Sequence, residues 1–142
     1  IPHPYPEHMA EDWIDSHHDK LEHGEIYLAI ILREGKTLLG SIGLTIDRND
    51  ENAELGYWIG KPYWNKGYCT EAAAAMVRYG FDKLKLNRIH CFYMTKNPAS
   101  GRVMQKLGMK YEGTMRQCIK KWDAFEDVSV YSILRDEHSG SR

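Results

Sequence analysis

The sequence predicts an α+β (mixed α/β) fold built on a mostly antiparallel sheet. Runs rich in β-branched and aromatic residues are separated by short polar or glycine-containing turns, which is typical of hairpins. Two helix-forming segments each follow directly after such a run, which adds crossover connections to the hairpins. This order of elements favours a mixed sheet over a doubly wound parallel one.

The first half of the chain predicts a helix followed by a hairpin. Residues 1–6 are rich in proline and are expected to be irregular. Apolar residues at helical spacing then precede Gly24, a typical helix terminator. The predicted elements are a helix from residue 6 or 7 to about 21, a strand over 26–32, a turn over 34–36, a strand over 38–46 and a polar loop over 48–52.

The second half predicts four strands, two helices and a loose tail. An alanine-rich segment favours one helix, and Asn97 followed by Pro98 is a strong start signal for the other. The predicted elements are a strand over 55–59, a helix from about 70 to 83, a strand over 89–94, a helix from 98 that stops at Gly108, strands over 110–119 and 127–134 joined by 120–125, and a polar tail over 137–142.

Composition limits the classes of function. The 142 residues suit a single domain with its own core. A net charge of −1 and an isoelectric point near 6.7 disfavour a nucleic-acid partner. No apolar run reaches the about 20 residues that span a bilayer, and no leader sequence opens the chain, so neither membrane insertion nor export is expected.

The cysteines and histidines predict neither disulfides nor a metal site. Cys69, Cys91 and Cys118 are odd in number and far apart, which fits a reducing, cytoplasmic setting. Three histidines lie close together near the start of the chain, but no cysteine or acidic partner stands at ligand spacing. A polar helix face explains them more simply; they are His17, His18 and His23.

One stretch, Glu54 to Glu71, combines an apolar strand, a short loop and the start of a helix. Its loop contains Gly67, and the alanine-rich helix follows. The first N–H groups of a helix have no partner inside it and favour an anion, and glycine lets that anion approach the backbone closely. The stretch therefore predicts a phosphate-binding loop, with a simple tight turn at Gly67 as the alternative. The motifs of nucleoside triphosphatase and dinucleotide-binding loops are absent from the sequence.

Two motifs in this half of the chain resemble those of the GNAT superfamily of acetyl-coenzyme A-dependent N-acetyltransferases. The first is Trp64-Asn-Lys-Gly67-Tyr-Cys69-Thr-Glu-Ala72, and the second is Asn97-Pro-Ala-Ser100 followed by Lys106-Leu-Gly108-Met109. Within the superfamily, the chain is most similar to the RimJ/RimL-type branch, which includes ribosomal-protein N-terminal acetyltransferases. That similarity is carried by Gly56-Tyr57-Trp58-Ile59, Gly67-Tyr68, Thr70-Glu71-Ala72 and Tyr111-Glu112-Gly113.

The resemblance implies a GNAT-like twisted sheet with helices on both faces and two splayed strands that hold acetyl-coenzyme A (acetyl-CoA). The superfamily's pyrophosphate loop, Q/R-x-x-G-x-G/A, maps with Trp64 first, Gly67 in the centre and Cys69 last. The residues expected to hold the pyrophosphate are Asn65, Lys66, Gly67, Tyr68, Cys69 and Thr70. The backbone of Tyr57, Trp58 and Ile59 is expected to pair with the pantetheine arm, and Asn97 and Ser100 to contact the same arm or the acetyl end.

The resemblance also suggests catalytic residues. Glu54 is the expected general base, with a solvent-facing carboxylate as the alternative. Other branches place this glutamate one position earlier, at Ala53 here, and a strand bulge could reconcile the two. Many relatives protonate the leaving thiolate with a tyrosine that maps to Met104, so Ser100 is the expected substitute, unless its hydroxyl bonds the helix start instead. A backbone N–H of residues 57–59 is the expected oxyanion donor.

The expected reaction is direct aminolysis of the thioester by a primary amine, most simply the N-terminal α-amino group of a protein or peptide. Three alternatives stay open: a small-molecule amine acceptor, a non-catalytic coenzyme A-binding module and a nucleotide-binding domain. Relatives carry a strand and a helix before the segment that begins here at Ile1, so residues 1–142 are expected to be one domain without them. A homodimer is also left open.

Overall fold

A computed structural model describes residues 24–140, which form six strands and three α-helices. Helix α2 begins where Asn97-Pro98 predicted, whereas the helix predicted over residues 6–21 lies outside the described residues. The elements in chain order are β1 (Glu25–Ile31), β2 (Leu38–Asp47), β3 (Asn52–Ile59), a 3-10 turn (Lys61–Tyr63), α1 (Tyr68–Asp82), β4 (Arg88–Met94), α2 (Pro98–Lys106), β5 (Lys110–Lys121), β6 (Ala124–Leu134) and α3 (Arg135–Gly140).

The strands form one sheet in the order β1-β2-β3-β4-β6-β5. All neighbouring pairs are antiparallel except β3 and β4, which are parallel and joined through α1. A parallel pair requires a crossover connection, and α1 supplies it. The predicted α+β class with a mostly antiparallel mixed sheet is confirmed.

The two parallel strands separate soon after they begin. Only Asn52 to Glu54 of β3 pairs with β4, opposite Arg88 to His90. Beyond this point β3 stays paired with β2 as far as Ile59, while β4 stays paired with β6 as far as Met94. The sheet therefore opens into a V-shaped gap, which is the arrangement predicted as two splayed strands.

The three described helices contact one face of the sheet, here called the helix face. Its central residues are Ala53, Leu55 and Tyr57 on β3 and Ile89, Cys91 and Tyr93 on β4. At Gly80 of α1 an added Cβ would lie 2.7 Å from Ile89 Cδ1, so any larger residue would require the Ile89 side chain to shift. Helices on both faces were predicted, and the described residues place helices on the helix face alone.

The opposite side, here called the far face, carries the alternate residues of the same strands. They include Glu54, Gly56 and Trp58 on β3 and His90 and Phe92 on β4. Since successive side chains of a strand point to opposite faces, Glu54 and Tyr57 lie on different sides of the sheet. Ala53, the alternative base position, is buried in the core, and the β2–β3 pairing runs without the bulge that would exchange it with Glu54.

Two predicted boundaries are corrected near the end of the chain. The predicted connection over 120–125 is mostly strand, because β5 and β6 pair as far as Lys121 and Ala124 around a two-residue turn. Trp122 and Asp123 both have positive φ in this turn, a hairpin geometry that usually requires glycine or asparagine. The predicted loose tail is also wrong up to Gly140: α3 forms there, because Glu137 accepts a hydrogen bond from the Leu134 N–H and pairs with Lys110.

None of the helices in residues 24–140 has both the length and the apolarity needed to cross a membrane. Within the same residues, no group of three or more histidine, cysteine or acidic side chains is arranged to hold a metal ion. The three histidines considered for such a site in the sequence lie outside this part of the chain.

Candidate functional site

A cavity of about 520 Å³ lies in the V-shaped gap, between the end of β3, the start of α1 and one side of α2. It has the size of a small-molecule pocket and is lined by both aromatic and polar side chains. Most predicted cofactor-binding residues line it together: Tyr57, Trp58, Ile59, Asn65, Gly67, Tyr68, Cys69, Thr70, Asn97 and Ser100. Lys66 and Glu54 are absent from its lining.

The N-terminus of α1 forms one wall of the cavity. Gly67 is the N-cap residue with φ +82°, and no side chain caps the helix there. The first backbone bond of α1 runs from the Glu71 N–H to the Gly67 carbonyl at 3.0 Å, so the N–H groups of Tyr68, Cys69 and Thr70 point out of the helix end. A Cβ on Gly67 would meet no protein atom within 4 Å, because the position opens toward the cavity.

The loop before α1 is fixed to the end of β3 by Trp64. Its indole Nε1–H donates to the Ile59 carbonyl oxygen at 2.8 Å. The Ile59 carbonyl thus uses one of its two lone pairs inside the protein. Pairing of pantetheine with the backbone of residues 57–59 stays a prediction. The tryptophan at the first position of the loop thus has a structural role, which is to join the loop to the end of β3.

Helix α2 contributes two cations to the opposite wall, Arg102 and Lys106. They are four residues apart and therefore lie on the same side of the helix. The sequence analysis missed them, although this spacing on a helix that follows the Asn97 motif was a usable signal. Asn97 is the N-cap residue of α2, yet its side chain makes no capping hydrogen bond and instead lines the cavity.

Tyr57 and Ser100 meet at the inner end of the cavity. The Tyr57 hydroxyl donates to the Ser100 carbonyl oxygen at 3.0 Å, and its oxygen lies 3.1 Å from Ser100 Oγ. Since the single Tyr57 hydrogen is used at the carbonyl, Ser100 Oγ–H is free to donate to Tyr57 or to a ligand. Met104 is fully buried, so the side chain at the expected tyrosine position does not reach the cavity.

The two cysteines nearest the gap retain their protons at neutral pH. Burial raises the pKa of Cys69 to about 11. Burial is also the main cause that raises the pKa of Cys91 to about 12. Because the thiolate is the nucleophilic form of cysteine, neither side chain is activated for covalent catalysis.

A polar cluster lies on the far face where β3 and β4 begin to separate. Glu54 and His90 are the last paired residues of the two strands, and their Oε1 and Nε2 atoms are 4.0 Å apart. The Nδ1 atom of His90 lies 3.1 Å from Asn52 Oδ1. Burial, followed by the charge of Arg88, lowers the pKa of His90. The sequence analysis missed His90, because no local pattern places it opposite Glu54.

Arg88 connects this cluster to the neighbouring strands. Its guanidinium donates two hydrogen bonds to the Glu112 carboxylate, at 2.8 and 2.6 Å. Ser132 Oγ donates to the same carboxylate at 2.8 Å. These bonds, chiefly that from Arg88, lower the pKa of Glu112 to about 2. Glu112 is the residue at which the β5–β6 register shifts, so the bulge turns its side chain toward Arg88.

Comparisons with known proteins agree with this geometry. Residues 1–110 match the acetyltransferase (GNAT) domain family. The chain is 38% identical to the uncharacterized N-acetyltransferase YnaD of Bacillus subtilis, over 76% of this chain and 64% of that protein. It is 27% identical to the ribosomal-protein-serine acetyltransferase of Escherichia coli, over 81% of this chain and 64% of that protein. The chain thus spans somewhat less than two thirds of either relative.

Solved structures share the fold. An acetyltransferase (GNAT family) from Bacillus anthracis superposes with a TM-score of 0.73 at 36% identity, covering 78% of this chain and 67% of that one. A spermidine N-acetyltransferase SpeG from Vibrio cholerae gives a TM-score of 0.79 at 22% identity, over 93% of this chain and 76% of that one. At that identity the likeness to SpeG extends to the fold alone.

Proposed function

The chain belongs to the GNAT family of N-acetyltransferases, and on that premise we propose that it transfers the acetyl group of acetyl-CoA to a primary amine. The observation that supports this most directly is the cavity in the V-shaped gap. It combines the free N–H groups of a helix N-terminus, two cations on the facing helix and an apolar floor along β3. These are the features that a phosphate-bearing thioester requires of its site.

The phosphate groups would lie between α1 and α2. The N–H groups of Tyr68, Cys69 and Thr70 donate to the pyrophosphate, and the open position at Gly67 allows its close approach. Arg102 and Lys106 face it from α2 and balance its charge. Lys66 and the side chain of Asn65 have minor roles in this arrangement, because a backbone cradle does not depend on the side chains of its loop.

The thioester would lie deeper in the gap, near Tyr57 and Ser100. Ser100 Oγ–H is free to donate to the departing sulfur, and Tyr57 can then redirect its own hydrogen from the Ser100 carbonyl to Ser100 Oγ. A backbone N–H of β3 beyond Glu54, where that strand has no partner in β4, supplies the oxyanion donor. Because Cys69 and Cys91 remain protonated, the amine attacks the thioester directly.

The acceptor amine would come from the far face, where Glu54 supplies a carboxylate beside the gap. A positively charged amine is attracted to this side, and a base is needed there because an amine of pKa about 8 to 10 is mostly protonated at neutral pH. The similarity to the ribosomal-protein-serine acetyltransferase favours the α-amino group of a protein or peptide as the acceptor.

Three measurements test the proposal. Calorimetry with acetyl-CoA should give one binding site, while ATP and NAD should give none. A thiol-release assay with α-amino peptides, free amino acids and spermidine should then show turnover, and mass spectrometry of a lysate treated with labelled acetyl-CoA should identify the modified amines. Binding without turnover on any amine would favour a non-catalytic coenzyme A-binding module. Turnover with spermidine alone would move the acceptor to small molecules.

A further inference from the structure

We propose that His90 and Glu54 bind the protonated acceptor amine between them, and that His90 Nε2 takes the proton that the amine must lose. This inference rests on the proposed acetyl transfer and names the base for that same site. It changes the role expected for Glu54, which becomes the residue that holds the ammonium group by charge. Its substrate class is a primary amine that is cationic at neutral pH.

The position of the pair in the sheet supports this assignment. Glu54 and His90 are the last residues at which β3 and β4 pair, so their side chains lie at the apex of the V-shaped gap. They point to the far face, whereas Tyr57 and Ser100 meet on the helix face. At Gly56, the next far-face residue of β3, an added Cβ would meet no atom of residues 24–140 within 4 Å. An amine can therefore approach the gap from the side opposite the thioester.

Hydrogen bonding fixes which nitrogen of His90 is basic. Asn52 Oδ1 is an acceptor 3.1 Å from Nδ1, so Nδ1 carries the ring proton and Nε2 presents a lone pair. Nε2 and Glu54 Oε1 are 4.0 Å apart, which is too far for a direct hydrogen bond. An ammonium nitrogen at about 2.9 Å from both atoms would form an angle of roughly 90° with them, about 20° less than the tetrahedral angle between its own N–H bonds, so each hydrogen bond would bend by only about 10°.

Burial is the main influence on the protonation of His90, and the nearby charges act on it in both directions. Its side chain is 17% exposed, and burial lowers its pKa, as does Arg88 on the same strand. Glu54 on β3 and Glu112 on β5 act in the opposite direction and raise it. The Phe92 ring packs edge-on against the imidazole, with ring centroids 5.3 Å apart.

In the proposed step the amine loses two protons, one before it attacks and one as the thiol leaves. The ammonium gives one proton to Nε2, and the neutral amine nitrogen forms a bond to the thioester carbonyl carbon. When the carbon–sulfur bond breaks, the nitrogen releases its second proton and the leaving sulfur gains one, so the products are an amide and a free thiol. The imidazolium then passes its proton to solvent beside Glu54, whose side chain is 47% exposed.

Variants of His90 and Glu54 distinguish a His90 that acts as the base from a His90 that only supports the structure. His90→Asn retains an N–H toward Asn52 but has no group at the Nε2 position. It should lower kcat/KM by about 100- to 10,000-fold, with unchanged affinity for acetyl-CoA and an unchanged melting temperature. Glu54→Gln should raise KM for the amine, with Glu34→Gln in the β1–β2 turn as the control for loss of one carboxylate. If His90→Asn keeps the wild-type rate, or loses acetyl-CoA binding, the proposal is overturned.

The pH profile supplies a second measurement. The rate should fall toward acid pH as His90 becomes protonated. Arg88→Gln removes a charge that lowers the His90 pKa, so it should move this limb to higher pH. Glu54→Gln removes a charge that raises the pKa and should move the limb to lower pH. Ionisation of the amine itself is the same for all variants. If the acid limb of the pH–rate profile does not shift between them, His90 is not the base.

A third measurement is independent of turnover. Long-range ¹H–¹⁵N spectra, assigned with His90→Asn, should show His90 as the Nδ1–H tautomer above neutral pH. Benzylammonium should shift the Nε2 resonance, and neutral benzyl alcohol should not. A wild-type protein that neither binds acetyl-CoA nor transfers acetyl groups contradicts the proposed function. An Nε2–H tautomer, or equal responses to the two compounds, contradicts the role of His90.

Discussion

Gly67 is the residue at which backbone conformation and ligand access coincide. Gly67 has a φ of +82°, and among the described residues no atom lies within 4 Å of the position that a Cβ would take. Gly108, which follows α2, has the same φ and the same open Cβ position but does not line the cavity, so it serves as a control. Alanine at either site should cost about 1 to 2 kcal/mol of stability, because the left-handed conformation disfavours a Cβ. Only Gly67→Ala should also weaken acetyl-CoA binding, by at least 10-fold. Calorimetry and urea unfolding of both variants measure this, and equal affinities would contradict the pyrophosphate loop.

The contact between Tyr57 and Ser100 predicts linked effects on the leaving group. Ser100→Ala removes the hydroxyl that we propose donates to the departing sulfur, so it should lower turnover about 10-fold at pH 7. The defect should shrink as the pH rises past the thiol pKa of about 8.5, where departure needs no proton.

Tyr57→Phe should give a smaller loss with the same pH dependence, because Tyr57 acts through Ser100. The double variant should resemble Ser100→Ala alone. Additive losses in the double variant, measured by thiol release over pH 6 to 9, would show that the two hydroxyls act independently.

At the scale of elements, the pairing of β2 with β3 depends on a glycine. A Cβ on Gly40 would overlap the Trp58 carbonyl oxygen, a backbone atom that cannot rotate away. Gly56, on the partner strand, would accept a Cβ without contact. Gly40→Ala should therefore destabilise the fold by about 3 kcal/mol or more, whereas Gly56→Ala should change it little. Urea unfolding of Gly40→Ala and Gly56→Ala measures the difference. Similar free energies of unfolding for the two variants would argue against the close approach of Gly40 to the Trp58 carbonyl oxygen.

Element positions followed from the sequence where the signal was local. Asn97 and Pro98 fixed the start of α2, and the alanines after Gly67 predicted α1, which begins two residues earlier than expected. The turn at Trp122 and Asp123 was missed because tryptophan rarely adopts positive φ and no glycine is present, so the cross-strand pairs on either side determine it. Helix α3 was missed because it is only six residues long, and one of its two stabilising contacts, Glu137 with Lys110, joins residues far apart in the chain.

At the scale of the whole molecule, Glu112 links β4, β5 and β6 and makes stability depend on pH. Its pKa is lowered from 4.5 to about 2 in the folded protein, chiefly by Arg88. The ionised carboxylate therefore stabilises the fold above about pH 4.5, and this contribution is lost as the pH falls toward 2. The side chain is 42% exposed, so solvent screening limits the gain to about 1 kcal/mol.

Glu112→Gln should lower the free energy of unfolding at pH 7. Between pH 7 and 2.5 the free energy of unfolding of this variant should fall less than that of the wild type. Glu34→Gln provides the control, since this glutamate lies in an exposed turn away from the cluster. Urea unfolding between pH 2.5 and 7 measures the difference. If the Glu112→Gln and wild-type curves stay parallel over this range, Glu112 contributes no acid-sensitive stability.

The sequence by itself determined the family, the sheet class and the start of α1 behind a loop glycine, because the motifs and the order of elements that carry them are read along the chain. A loop glycine followed by a helix-forming segment leaves the first N–H groups of that helix without partners inside it, whatever the position of the segment in the fold. The tertiary structure alone decided what faces that helix end and what faces the acceptor side. Arg102 and Lys106 reach the cavity only because α2 packs beside α1, and His90 meets Glu54 only through the parallel pairing of β3 with β4. Such pairing joins residues 36 positions apart, and it is set by the packing of the whole sheet rather than by any local pattern.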